Sequence, residues 1–152
     1  MSLFSLFRKK DFFSEEEKQQ IIEAVRNAER MTSGEVRVFV ENRCSYMDAL
    51  DRAKEVFAEL KMYETHDRNA VLMYVALKDK QLAIFGDEGI HKVMGDEGWA
   101  ALSNQLAEFF RKGQFCEGLV NIIYKIGEML AKPFPPAAEN VDELTNEPSF
   151  GE

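Results

Sequence analysis

Ala70-Val71-Leu72-Met73-Tyr74-Val75-Ala76-Leu77, followed by Lys78-Asp79-Lys80 and then Gln81-Leu82-Ala83-Ile84-Phe85, is the stretch that decides the fold of this chain. Its first eight residues are apolar without a break, which is the pattern of a strand covered on both faces. Such a strand belongs at the centre of a sheet. Three polar residues make a short connection, and residues 81–85 return as another strand, so the two form an antiparallel hairpin.

Working outward, the preceding residues supply a strand and two helices. Ser14-Glu15-Glu16-Glu17 has the Ser-x-x-Glu form of a capping box, and three acids in the first turn suit the helix dipole. Ile21, Ile22, Val25, Ala28 and Met31 recur at helical spacing, and Thr32-Ser33-Gly34 ends the helix. Glu35-Val36-Arg37-Val38-Phe39-Val40-Glu41 alternates polar and apolar residues over most of its length, as a strand with one well-buried face should. Ser45 or Asp48 can cap a second helix with Leu50, Ala53, Val56, Phe57 and Leu60 as its core stripe. Strand, helix and strand in that order predict parallel neighbours joined by a right-handed crossover. Downstream, Trp99, Leu102, Leu106, Phe109 and Phe110 line one helix that stops at Gly113. Phe115, Leu119, Ile122, Ile123, Ile126 and Leu130 line the last, which ends before Pro133-Phe134-Pro135-Pro136. At these spacings Trp99 and the Phe109-Phe110 pair are core residues and not a stacking platform.

With 152 residues, 45% of them hydrophobic, the chain has the size of one domain with a substantial core. It divides into an apolar and basic extension (1–13), a domain (14–136) and an acidic, flexible tail (137–152). The net charge is -8, and the tail carries five acids and no bases. Lys9-Lys10 and Arg111-Lys112 are too isolated for phosphate-backbone binding, so nucleic acid is excluded as a partner. Cys44 and Cys116 fit neither a disulfide framework nor a zinc motif. No run approaches the roughly 20 apolar residues of a transmembrane segment. Arg8-Lys9-Lys10 follows the apolar Met1-Ser2-Leu3-Phe4-Ser5-Leu6-Phe7 instead of preceding it, unlike a secretory signal. The expected location is cytoplasmic, with peripheral membrane contact through Phe4, Phe7, Arg8 and Lys9 as a variant of it.

The chemistry gathers on one edge. Gly-Asp-Glu-Gly occurs twice, at 86–89 and 95–98. If the first two strands are parallel and the third antiparallel to the second, Glu35, Thr65-His66-Asp67-Arg68-Asn69 and Gly86-Asp87-Glu88-Gly89 share one end of the sheet. Glu35, Asp67, Asp87, Glu88 and Asp96 are therefore the candidate metal ligands, with His66, His91 and Glu97 nearby. Carboxylates and glycine-permitted carbonyls suit Ca2+ or Mg2+ more than copper or zinc. The competing reading is that Asp87 and Asp96 simply cap two helix starts, the histidines sit at the surface, and Arg68 pairs with a carboxylate instead of binding phosphate. No EF-hand loop, Gly-x-Ser-x-Gly elbow or P-loop is present.

Thr32-Ser33-Gly34-Glu35-Val36-Arg37-Val38, Thr65-His66-Asp67-Arg68-Asn69-Ala70-Val71-Leu72, Ile84-Phe85-Gly86-Asp87-Glu88-Gly89-Ile90-His91 and Gly113-Gln114-Phe115-Cys116-Glu117-Gly118-Leu119 resemble successive blocks of the TPM domain. That domain also occurs in thylakoid-lumen proteins of photosystem II repair and in bacterial membrane-associated proteins. The resemblance runs from about 14 to 135, and residues 140–151 resemble the tail of compact bacterial members. It implies an α/β/α sandwich with a small mixed sheet of three to four strands and helices on both faces. It also implies acidic loops that bind divalent cations in some members, and an acid phosphatase activity attributed to plant relatives. Carried onto this chain, it points to Asp67, Asp87 and Glu88, with Glu35 beside them. The signal peptide and membrane helix of many relatives are missing here, so lumenal roles do not carry over, and the Gly-x-Gly form of the acidic loop reads Gly86-Asp87-Glu88-Gly89. The resulting expectation is a divalent-cation-binding interaction module in protein quality control or repair, with an unknown protein partner. A metal-assisted phosphomonoesterase, using His66 or Glu88 as proton carrier, is the alternative.

Overall fold

The computed structural model describes residues 12–44, 47–136 and 149–150. The elements run α1 (Glu15–Met31), β1 (Glu35–Glu41), α2 (Ala49–Glu59), β2 (Ala70–Ala76), β3 (Gln81–Gly86), α3 (Glu88–Arg111), α4 (Phe115–Ala131) and β4 (Ser149–Phe150). One mixed sheet has the order β3-β2-β1-β4. The unbroken apolar strand β2 is indeed internal: it lies parallel to β1, with Glu35 opposite Ala70, and antiparallel to β3, with Val71 opposite Gly86.

Strand side chains alternate between faces, and here each face meets helices. Val36, Val38, Val40, Val71, Met73, Val75 and Ile84 share one core with Ile21 and Val25 of α1, Leu102 and Leu106 of α3, and Ile122 and Ile126 of α4. Phe39, Leu72, Tyr74, Ala76 and Ala83 share the other core with Ala53, Val56 and Phe57 of α2. Among the described residues these layers form an α/β/α sandwich with three helices on one face and one on the other.

Local chemistry sets the boundaries. Ser14 Oγ accepts from Glu17 N (3.1 Å) while Ser14 N donates to Glu17 Oε1 (2.9 Å), closing the predicted capping box. Asp48 caps α2, accepting from Asp51 N at 2.8 Å, whereas Ser45 lies outside the described residues. Thr32 Oγ1 donates to Phe134 O (2.5 Å), and Ser33 N to the same carbonyl (3.0 Å), so the segment after α4 is tied to the entrance of β1.

Three expectations change. Strand β1 is buried along its whole length, not on one face alone; on the side bearing Glu35, Arg37 and Glu41, Phe39 joins the core shared with α2 and Glu41 is held by Arg52 of that helix. Leu50, placed in the α2 stripe, is 45% exposed. The helix of Trp99 begins at Glu88 and continues through a break at Gly95, whose φ of 69° is open to glycine and costly for other residues. Phe13 is fully buried, and Phe12 packs edge-on against Phe115 (5.0 Å between ring centres). The membrane-contact residues Phe4, Phe7, Arg8 and Lys9 lie outside the described residues, as does most of the tail, of which Ser149–Phe150 pair in parallel with Phe39 and Val40 of β1. Among the described residues no helix is long and apolar enough to cross a membrane.

Candidate functional site at the acidic sheet end

The strand directions bring the start of β1, the start of β2 and the end of β3 together. Glu35 N donates to Asn69 O (3.3 Å) and Asp87 N to Ala70 O (3.0 Å), which places Glu35, Asn69 and Asp87 on consecutive strands of one sheet end. Arg68 stands at φ 51°, a left-handed conformation that turns the loop before β2 toward the start of α3.

Asp87 caps α3: its Oδ1 accepts from Glu88 N at 2.8 Å, and its main-chain oxygen from Ile90 N at 3.0 Å. Arg68 clamps the same carboxylate bidentately, Nε to Oδ2 at 2.7 Å and Nη2 to Oδ1 at 2.9 Å. Its Nη1 also reaches Glu88 Oε1 at 3.1 Å. Asp87 is 4% exposed, so the guanidinium neutralises a carboxylate that would otherwise be buried beside main chain only. These bonds also hold the Arg68 cation more firmly than in solution, raising its pKa. Gly89 makes the approach possible. Its N donates to Arg68 O at 2.9 Å, and a Cβ there would lie 2.2 Å from Asp67 O.

The other candidates disperse around this clamp. Asp67 is half exposed, its Oδ1 3.0 Å from Nδ1 of the almost fully exposed His66. Asp96, beyond the break at Gly95, is 98% exposed, with His91 Nδ1 at 3.8 Å. Glu35 is buried on the α2 side of β1 with Arg37, two residues along, as a charge neighbour. Burial lowers the pKa of Arg37, while Glu35 and Glu29 oppose that shift. Among the described residues no three Asp, Glu, His or Cys side chains form a group that could hold a metal. Oδ1 of Asn69, a residue 1% exposed, has no hydrogen-bond donor among the described residues, although its Nδ2 reaches Ser33 Oγ at 3.3 Å. At Asp87 and Glu88 a cation would meet Arg68 already in place, and the link between Asn69 and Glu35 is the main-chain bond.

The opposite sheet end holds a polar cluster that the sequence reading assigned to no role. Arg52 on α2 donates to both oxygens of Glu41 at 2.8 and 3.0 Å, and Tyr74 OH donates to Glu41 Oε2. Burial, then the bond to Glu41, raises the pKa of the Tyr74 hydroxyl. Glu41 and Tyr74 are both buried. The sequence signal was the acid closing a strand later found buried on both sides, with one arginine on the covering helix. Cys44 and Cys116 are free, buried thiols.

These features define a small three-layer α/β domain with an acidic, arginine-clamped sheet end. The chain belongs to the TPM domain family: the family model matches residues 6–129. It is similar to the BA42 protein of the psychrophilic bacterium Bizionia argentinensis, known from an NMR structure, with 44% identity, a TM-score of 0.86, and coverage of 93% of this chain and 97% of that one. The N-terminal domain of a protein from P. gingivalis, known from an NMR structure, shares 13% identity at a TM-score of 0.67, covering 85% and 83% of the two chains. The N-terminal domain of a Corynebacterium glutamicum protein shares 10% at 0.66, covering 88% and 83%. These last two establish likeness of fold alone. Comparison with curated proteins finds no match.

Proposed function

We propose that this chain is a non-catalytic binding module whose acidic sheet end takes a divalent cation, Ca2+ or Mg2+, in a role of protein quality control or repair. The observation that carries the reading is the buried Asn69 Oδ1, an acceptor without a donor among the described residues, in the residue whose main-chain oxygen accepts from Glu35 N. A cation satisfies oxygen donors that lack protons to accept. Asp67 and Glu88 stand at the rim with exposed carboxylates, and Arg68, itself 41% exposed, is the internal cation that an incoming ion exchanges with at Asp87. Calcium titration followed by amide NMR is the test. Localised shifts at Glu35, Asp67, Asn69, Asp87 and Gly89 are expected, and their absence at millimolar ion refutes the cation reading.

The phosphomonoesterase reading is favoured by one observation, the matching family model's label, which pairs the TPM domain with phosphatase. The geometry lends it less: Arg68, the arginine at this end in reach of a phosphate, spends its donors on Asp87 and Glu88. Turnover of an aryl phosphate that is lost in Asp87→Ala would support it. Turnover unchanged in that variant would mean a contaminating enzyme.

A further inference from the structure

Among the described residues, strand β3 closes one side of the sheet. The bond from Asp87 N to Ala70 O fixes which of its residues face β2. In an antiparallel ladder bonded and non-bonded pairs alternate, so Gln81, Ala83 and Phe85 turn their main chain to β2, while Leu82, Ile84 and Gly86 turn theirs outward. Among the described residues no hydrogen bond reaches those outward groups.

Two cavities follow this edge. One, of about 530 Å³, lies between α2 and α3, with Ile84 and Gly86 on its floor and Lys54 and Trp99 in its walls. The other, of about 480 Å³, continues toward Lys80 and Arg111. Leu82 lines both, so the trough runs along Leu82, Ala83, Ile84, Phe85 and Gly86 of the strand, a length of ~17 Å. Its floor is recessed, with Ile84 5% exposed. Helical walls keep out the flat sheet edge of a second copy and admit a single extended strand.

Charge selects among such strands. Lys54 and Lys80 rim the trough against one lining carboxylate, Asp96, while Arg111 is paired with Glu108, in a chain whose net charge is -8. This local excess of cations attracts a strand with carboxylates and repels the chain's own Arg8-Lys9-Lys10. Trp99 adds a buried indole N–H without an acceptor among the described residues.

We infer that β3 receives a segment of another protein as an added strand: an extended peptide, apolar at alternate positions and flanked by carboxylates. The inference deepens the binding-module reading and rests on it, while needing no cation. The full chain, in a chelator, is titrated with a synthetic peptide of alternating valine and threonine bearing aspartate at both ends, and with its lysine-ended counterpart. Amide shifts and new exchange protection at Leu82, Ile84 and Gly86 are expected with the first peptide, at an affinity at least tenfold above the second. Lys54→Glu, on an exposed helix position, should lose that preference while keeping its amide spectrum elsewhere. No shift on β3 at millimolar peptide overturns the inference, and so does equal binding of the two peptides. Protection of the three amides before any peptide is added also overturns it, since a second copy or the chain's own terminus then covers the edge. A separate calcium titration of the same sample tells the failures apart: β3 shifts without calcium shifts leave this inference standing and remove the cation.

Discussion

Gly89→Ala tests the construction of the acidic sheet end. Gly89 lies in the first turn of α3, and by helix propensity alone alanine would stabilise it by about 1 kcal/mol. The new Cβ, however, falls 2.2 Å from Asp67 O and 2.7 Å from Arg68 O. Ordinary contact begins near 3.4 Å, and both obstacles are main chain, so loop and helix must part by about an ångström. Overpacking of this kind costs about 3 kcal/mol, and the Gly89 N to Arg68 O bond is stretched with it, adding about 1 kcal/mol. The net expectation is destabilisation of about 3 kcal/mol, with loss of the Arg68–Asp87 clamp. Gly98→Ala is the internal control: its nearest neighbour is the flexible Met129 Cε at 3.5 Å, so the same change should stabilise by up to about 1 kcal/mol. Urea unfolding of both variants reads the difference directly. If Gly89→Ala matches or exceeds the parent in stability, the close approach of loop and helix described here is wrong.

At the other sheet end, Arg52→Ala strands the buried Glu41 with Tyr74 as its remaining partner and should cost about 3 kcal/mol; a loss under about 1 kcal/mol in the same assay would mean that water screens the pair. Arg68→Ala should lower stability by leaving Asp87 with fewer bonds, yet tighten calcium binding several-fold in the NMR titration, and weaker binding would refute the exchange of cation for guanidinium. Burial, with Glu17 and Glu117 nearby, pushes the Cys116 thiol up to about 11, so in the folded chain it should resist iodoacetamide at pH 8 and react on unfolding. Because the folded state holds that proton more tightly, its contribution is intact below the ordinary thiol value of 9.0 and falls as pH rises from there toward 11. Stability that is flat across this window in the parent but falls in Cys116→Ala would contradict the assignment.

Much of the architecture can be read along the chain because periodicity reports burial locally. The unbroken apolar run of β2 told that it is internal, and the capping residues Ser14 and Asp48 marked two helix starts. The sharing of one sheet end by Glu35, the loop before β2 and the residues after β3 followed from strand direction alone. What these side chains do there was not legible. Spacing gives the strand on which a carboxylate sits but not the cation beside it, and the left-handed turn at Arg68 is what swings a guanidinium onto Asp87. Asp96 shares its tetrapeptide with Asp87 and still lies far out in solvent, because Gly95 breaks the helix between them.

The sequence by itself thus determined the order and type of the elements from α1 to α4, the hairpin of β2 and β3, and the family likeness of the acidic loops, while the short strand β4 fell in a segment read as a flexible tail. Tertiary structure decided that the polar face of β1 is buried, that Glu41 is held by Arg52 and Tyr74, and that Asp87 is held by Arg68. The division has a physical cause. Backbone propensity and hydrophobic period act over a few residues, whereas charge pairing depends on which atoms come within about 3 Å after distant segments have packed.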